Sequence, residues 1–147
     1  MEIKRVDADI VRPLRQKVLR PGQPFHTTKI EKDENKDTVH YALYLDDFLT
    51  SIATIYPEPL VEYNFSLAYR LRGMATDPEY QGKGFGAQIL KQCIMYLRDK
   101  TDTKYLWCNA RESAFGFYEK FGFEIIGDIF EIENIGPHKK GFYLIRK

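Results

Sequence analysis

Cysteine is scarce in this 147-residue chain: Cys93 and Cys108 are the only two, which excludes a disulfide framework and leaves no metal site in prospect. Glycine and proline, 10 and 7 residues, are too few for a fibrous or low-complexity chain. Long apolar runs are missing as well. Nothing approaches the roughly 18 consecutive apolar residues of a membrane span, and Met1-Glu2-Ile3-Lys4-Arg5 is followed by no apolar block of the signal-peptide kind, so the expected compartment is the cytoplasm. A surplus of one charge sign is also absent. The 22 Lys and Arg against 21 Asp and Glu give a formal +1 and no global attraction for a polyanion. Nucleic-acid binding would need a local basic patch, and Arg12, Arg15, Lys17 and Arg20, close together in one stretch, belong to no recognisable reading module.

What is present, 44% apolar and 29% charged residues, suits one globular domain over residues 1–147 with a core of ordinary size. Charge is uneven along it: residues 1–29 carry a net +4, residues 30–68 a net −6 and residues 69–147 a net +3. The acidic middle centres on Glu31-Lys32-Asp33-Glu34-Asn35-Lys36-Asp37, which has no apolar residue and reads as a solvated loop.

Periodicity predicts the elements. A short strand over Ile3 to Val6 precedes a helix capped by Asp9, with Ile10, Val11, Leu14, Val18 and Leu19 at helical spacing and Pro13 tolerable only in a first turn. Thr38 to Leu45 and Phe48 to Tyr56, joined by Asp46-Asp47, read as a hairpin, and a further strand runs to Ala75. From Gly84 the period becomes 3.6, with Ile89, Leu90, Cys93, Ile94 and Leu97 on one face. A strand over Tyr105 to Cys108, a helix over Ala114 to Phe121 stopped by Gly122, and strands over Phe123 to Ile132 and Phe142 to Ile145 complete the chain. Helices and strands interleave in the middle and hairpins flank them, so the fold class is α/β with a mixed sheet.

The segment richest in chemistry is Gln81-Gly82-Lys83-Gly84-Phe85-Gly86-Ala87, three alternate glycines between a strand end and an amphipathic helix. Glycine allows a tight turn and close backbone approach, and the free N–H groups of a first helical turn favour an anion. A P-loop is excluded because Gly84 follows Lys83 where Ser or Thr is needed for magnesium. Gly82-x-Gly84-x-x-Ala87 fits a dinucleotide fingerprint formally, with Asp102 at about the distance of its ribose acid. Asp77-Pro78-Glu79-Tyr80, intervening between strand and loop, argues against it.

Arg72 to Gly86 resembles the acetyl-CoA-binding segment of the GNAT acetyltransferase superfamily, Gln81-x-x-Gly84-x-Gly86 standing for its Gln/Arg-x-x-Gly-x-Gly/Ala signature. Ser113 to Phe123 is similar to the family's helix ending in Phe-Tyr-x-x-x-Gly-Phe. The resemblance implies a mixed, mostly antiparallel central sheet, splayed between its fourth and fifth strands and flanked by helices. It also implies acetyl-CoA as acyl-donor cosubstrate and a small-molecule or peptide amine as acceptor, with neither nucleic acid nor membrane as partner. Exposed edge strands are compatible with a homodimer.

The same resemblance assigns roles. Main-chain N–H groups of Gln81, Gly82, Lys83, Gly84, Phe85, Gly86 and Ala87 would hold the pyrophosphate, and the backbone of Met74, Ala75 and Thr76 would pair with pantetheine. Tyr118 would return a proton to the departing thiolate, since a phenol near pKa 10 can protonate a thiolate near 8 to 9. Many relatives have Asn three residues before the helix alanine, where this chain has Arg111; Asn109 or Arg111 would meet the cofactor. Candidates for the general base are Glu62, Glu131, Glu133 and His138. Cys93 and Cys108 read as packing thiols. A CoA-binding regulatory module and a dinucleotide-binding protein remain as alternatives, and acidic residues in Pro21 to Lys36 and Ile129 to Lys140 leave a cationic acceptor open.

Overall fold

The computed structural model describes all 147 residues, Met1–Lys147. Seven strands and three α-helices follow one another as β1 (Glu2–Val6), α1 (Ala8–Leu19), β2 (Val39–Leu45), β3 (Phe48–Pro57), β4 (Ala68–Thr76), α2 (Phe85–Lys100), β5 (Tyr105–Arg111), α3 (Phe115–Phe121), β6 (Glu124–Ile132) and β7 (Gly136–Leu144). The strands hydrogen-bond in the order β1-β2-β3-β4-β5-β7-β6. β1–β2, β2–β3, β5–β7 and β6–β7 are antiparallel, whereas β4–β5 is parallel, so the sheet is mixed as expected. The parallel register covers Ala68↔Tyr105, Tyr69↔Leu106 and Arg70↔Trp107.

The chain forms two compact units, Met1–Pro57 with Leu71–Tyr96, and Glu58–Arg70 with Leu97–Lys147. In the first, α1 lays Val11 and Leu14 against Ile52 of β3 and Ala75 of β4, with Val6, Val18, Leu19 and Leu49 around them. Each such aliphatic side chain contributes about 1.5–3 kcal/mol by leaving water. The β2–β3 turn places Asp46 and Asp47 at φ of 48° and 67°, the left-handed pair that suits the twist of a two-residue hairpin. In the second unit, Leu60, Ala68 and Trp107 form a core with Tyr63, Phe65, Tyr105 and Phe142. The rings of Phe65 and Tyr105 stack there at 3.8 Å.

Three expectations change. Helix α1 starts earlier, with Asp7 as N-cap, so Pro13 lies inside the helix rather than in its first turn and removes one backbone donor. Asp33, expected in a solvated loop, is 5% exposed. Its two carboxylate oxygens accept from Arg15 at 2.8 and 3.0 Å, and the Ile30 N–H adds a third bond at 3.0 Å. The last strand begins at Gly136 rather than Phe142, because Gly136 to Gly141 pairs with β5 on one side and β6 on the other despite its breakers.

Arg15 is the centre of a buried polar network in the first unit. Nη1 also donates to the Thr28 carbonyl at 2.9 Å and Nη2 to Thr54 Oγ1 at 2.8 Å. His40 lies between Thr54 Oγ1, 2.8 Å from Nδ1, and the Asp33 carbonyl, 3.0 Å from Nε2. A carbonyl only accepts, so Nε2 carries the proton and Nδ1 accepts from Thr54. Burial opposes ionisation of Asp33, yet the bonds from Arg15 and the Ile30 N–H hold its carboxyl below the usual range. Arg15 is thus no part of a basic patch, and Arg12 is spent on Thr28 Oγ1 at 3.0 Å and on the Phe25 ring.

Candidate active site

In the first unit the glycine loop is built from the strand that precedes it. β4 ends at Thr76, and Asp77, 2% exposed, turns the chain. Its N–H donates to the Thr50 carbonyl at 2.8 Å, Oδ1 accepts from the Glu79 N–H at 3.0 Å, and Oδ2 accepts from Lys17 Nζ at 2.7 Å. The Lys17 ammonium and that N–H together hold the Asp77 carboxyl below its ordinary range against the opposing effect of burial. Gln81 then reaches back, its Nε2 donating to the Thr76 carbonyl at 3.0 Å. Ser51 braces the same strand end through the Ala75 carbonyl at 3.1 Å and Thr76 Oγ1 at 2.7 Å.

Gly82 and Gly84 have φ of +78° and +86°, a backbone that other residues seldom adopt, and a Cβ at either would meet nothing within 4 Å. Their conformation demands glycine, and the space beside them is open. Gly86, in contrast, is a helical residue of α2. The first α2 bond runs from the Gln88 N–H to the Gly84 carbonyl at 3.1 Å, so helix geometry leaves the N–H groups of Phe85, Gly86 and Ala87 without an intrahelical partner. Gln81, Gly82, Lys83 and Gly84 are exposed and Lys83 lies 5.6 Å from the Tyr80 ring centroid. The loop is accessible and opens a helix of 16 residues, so its free N–H groups could hold an anion.

In the second unit Tyr118 meets Cys108, and Arg111 lies within electrostatic reach of Tyr118. Tyr118 is 9% exposed, between the rings of Phe117 and Phe123 at 5.2 and 5.1 Å. Its hydroxyl hydrogen-bonds the sulfur of Cys108, yet burial dominates and pushes the Cys108 thiol up to about 12. Burial likewise pushes Cys93 up to about 12, which fits packing thiols rather than nucleophiles. Arg111 is half-buried, its pKa pulled down by burial and partly restored by Tyr118. The α3 helix ends as expected, the Gly122 and Phe123 N–H groups donating to the Tyr118 carbonyl at 3.1 and 2.9 Å.

Asn109 and Arg111 lie on β5, which runs three residues beyond the expected Cys108. They alternate with Cys108 and Ala110 and so share the other sheet face, in register with Lys140 and His138 of β7. His138 is buried, and its Nδ1 donates to the Gly136 carbonyl at 2.7 Å, so that in the neutral ring the lone pair is on Nε2. Glu62 pairs with Lys140 at 3.3 Å, whereas Glu131 and Glu133 are exposed. Lys140, the end of the expected acceptor segment, and Trp107 of this face were not among the candidate site residues; a signal for Trp107 was its alternation with Asn109 and Arg111.

No helix is long and apolar enough to cross a membrane. A family model described as an acetyltransferase (GNAT) domain matches residues 36–125. YitI, an uncharacterized N-acetyltransferase of Bacillus subtilis (strain 168), is 32% identical over 138 residues, 94% of this chain and 92% of that protein. The spermine/spermidine N(1)-acetyltransferase of the same organism is 28% identical over 113 residues, 71% of this chain and 74% of that one. Among solved structures, an aminoglycoside 6'-N-acetyltransferase complexed with coenzyme A shares the fold, with a TM-score of 0.75 over 100% of this chain and 98% of that chain at 13% identity. The strand, glycine loop and helix of the first unit and the tyrosine helix of the second thus fall within a recognised pattern, and the chain belongs to the GNAT family of N-acetyltransferases as an acyltransferase.

Proposed function

We propose that residues 1–147 act as one acetyl-CoA-dependent N-acetyltransferase domain, moving an acetyl group to a primary amine by direct attack in a ternary complex. The observation that carries the reading is the Gln81–Gly86 loop, with Gly82 and Gly84 in left-handed backbone ahead of α2 and Asp77 anchoring its start. Main-chain N–H groups from Gln81 to Ala87 receive the pyrophosphate, and the backbone of Met74, Ala75 and Thr76 receives the pantetheine amides. Ser51 and Gln81 already occupy one lone pair each of the Ala75 and Thr76 carbonyls, which holds that edge in place.

In the reaction the amine nitrogen bonds to the thioester carbonyl carbon, and an N–H near Met74 or Ala75 stabilises the oxyanion. The C–S bond then breaks, and Tyr118 gives its proton to the departing thiolate. Asn109 or Arg111 meets the cofactor. Among the four candidates for the base we favour His138, because its Nδ1–H is committed to Gly136 and, in the neutral ring, Nε2 is the nitrogen that takes the proton. A reaction that draws on acetyl-CoA suits the cytoplasm.

Thermal unfolding with acetyl-CoA, CoA, NAD or NADP tests the reading. At about 100 times the dissociation constant, a bound ligand adds roughly 2.7 kcal/mol to the native state. Stabilisation by acetyl-CoA and CoA alone supports it; no response to either rejects it. Tyr118→Phe separates an enzyme from a CoA-binding module: turnover should fall about 10²–10⁴-fold while the acetyl-CoA shift stays the same.

A further inference from the structure

The face of the second unit that carries Asn109 and Arg111 holds an ammonium in a built box. Lys140 Nζ lies 4.7 Å from the Phe130 ring centroid and 5.8 Å from that of Trp107. Its oxygen partners are Asn109 Oδ1 and Glu62 Oε1, each at 3.3 Å. Beside it the Arg70 guanidinium lies 4.7 Å from the Trp107 ring, with Nη1 bonded to Glu58 Oε2 at 3.1 Å. The Trp107 indole is itself tied down, Nε1 donating to the Glu58 carbonyl at 2.8 Å. Two rings, an amide oxygen and a carboxylate are what a protein offers to a ligand's ammonium. Here a lysine of the chain already fills the place.

The bonds to Lys140 are long. A charge-assisted N–H···O⁻ bond normally closes to about 2.7–2.9 Å, and both oxygens stand at 3.3 Å. The Glu62 side chain is 57% exposed against 21% for Lys140, so the carboxylate is the member free to leave. Donors are also in excess: Arg70 Nε is buried with no acceptor. A polycation would have to displace Lys140 from its rings and meet like charge, whereas a carboxylate would take the place of Glu62 and close the loose bonds.

We propose that Lys140 is a specificity-determining residue that reads a carboxylate on the acceptor, so that the acceptor is an amino acid or a similar amine with a carboxylate rather than a polyamine. The inference rests on the acetyltransferase reading and names its acceptor class. Matched pairs that differ only in the carboxylate test it: lysine against 1,5-diaminopentane, and ornithine against 1,4-diaminobutane. Transfer is measured by thiol release with the intact chain, beside the acetyl-CoA thermal shift of each variant. One charge-assisted hydrogen bond is worth about tenfold or more in affinity, so the amino acid of each pair should exceed its diamine about tenfold in kcat/KM. Lys140→Gln should erase that margin through KM and leave the acetyl-CoA shift unchanged; Lys140→Arg should retain much of it. With the acetyl-CoA shift intact, preference for the diamines, no transfer to either member, or a margin that survives Lys140→Gln overturns the proposal. Loss of the acetyl-CoA shift in the unmutated protein overturns the acetyltransferase reading itself.

Discussion

Two cations, Arg15 in the first unit and Lys140 in the second, are held in opposite ways. The terminal nitrogens of Arg15 make four bonds of 2.8–3.0 Å to Asp33, Thr28 and Thr54, inside a site where arginine and carboxylate are almost wholly buried. Lys140 makes two contacts at 3.3 Å, one of them to a carboxylate more than half exposed. Desolvation explains the contrast. A charge taken out of water must have short, fixed partners or the fold does not form, whereas a half-buried charge whose carboxylate partner is exposed can keep longer ones. Tight pairing suits a scaffold, and the proposed reading of Lys140 asks for pairing that a ligand can replace.

The largest effect expected from breaking that contrast is at Asp33. Asp33→Ala leaves the buried Arg15 charge uncompensated and should cost about 3–5 kcal/mol of stability, read from urea unfolding. Its pH dependence sharpens the point. The Asp33 carboxyl titrates below its unfolded value, so its contribution is complete above about pH 4 and is lost as the pH falls through the lower folded pKa. Asp33→Asn should therefore destabilise the protein at neutral pH and flatten the acid limb of the stability profile.

Gly73→Ala comes next. Gly73 has φ of +59°, and a Cβ there would stand 2.8 Å from Arg15 Nε, which has no hydrogen-bond partner of its own but is held in place by the bonds of both terminal guanidinium nitrogens. Strain and crowding together should cost about 1–3 kcal/mol, seen as a lower thermal midpoint. The smallest effect belongs to Glu62→Gln, which removes an exposed partner of Lys140 and should change stability by less than about 1 kcal/mol. Equal losses at Asp33 and Glu62 would break the comparison.

These regions also differ in how far they could be read in advance. The glycine loop was legible because its causes are local: positive φ demands glycine, and a helical period begins at once in Ile89, Leu90 and Cys93. Asp33 was not, since a run of charges looks the same whether solvated or paired, and its partner Arg15 lies 18 residues away. Gly136 to Gly141 hid a strand because strand formation there depends on two neighbours brought from elsewhere in the chain. Asn109 and Arg111 could be named as candidates, but their shared face with Lys140 and His138 exists only once β5 and β7 are in register.

The buried thiols have a practical side. Cys93 and Cys108 are both 2% exposed or less and both pushed up to about 12. Almost no thiolate exists on the native protein near neutral pH, and reagents that colour on contact with a free thiolate should find none to attack. A colorimetric assay of released coenzyme A can then be run on the unmodified chain without a cysteine-free variant, and any slow protein-derived signal becomes a clock for unfolding.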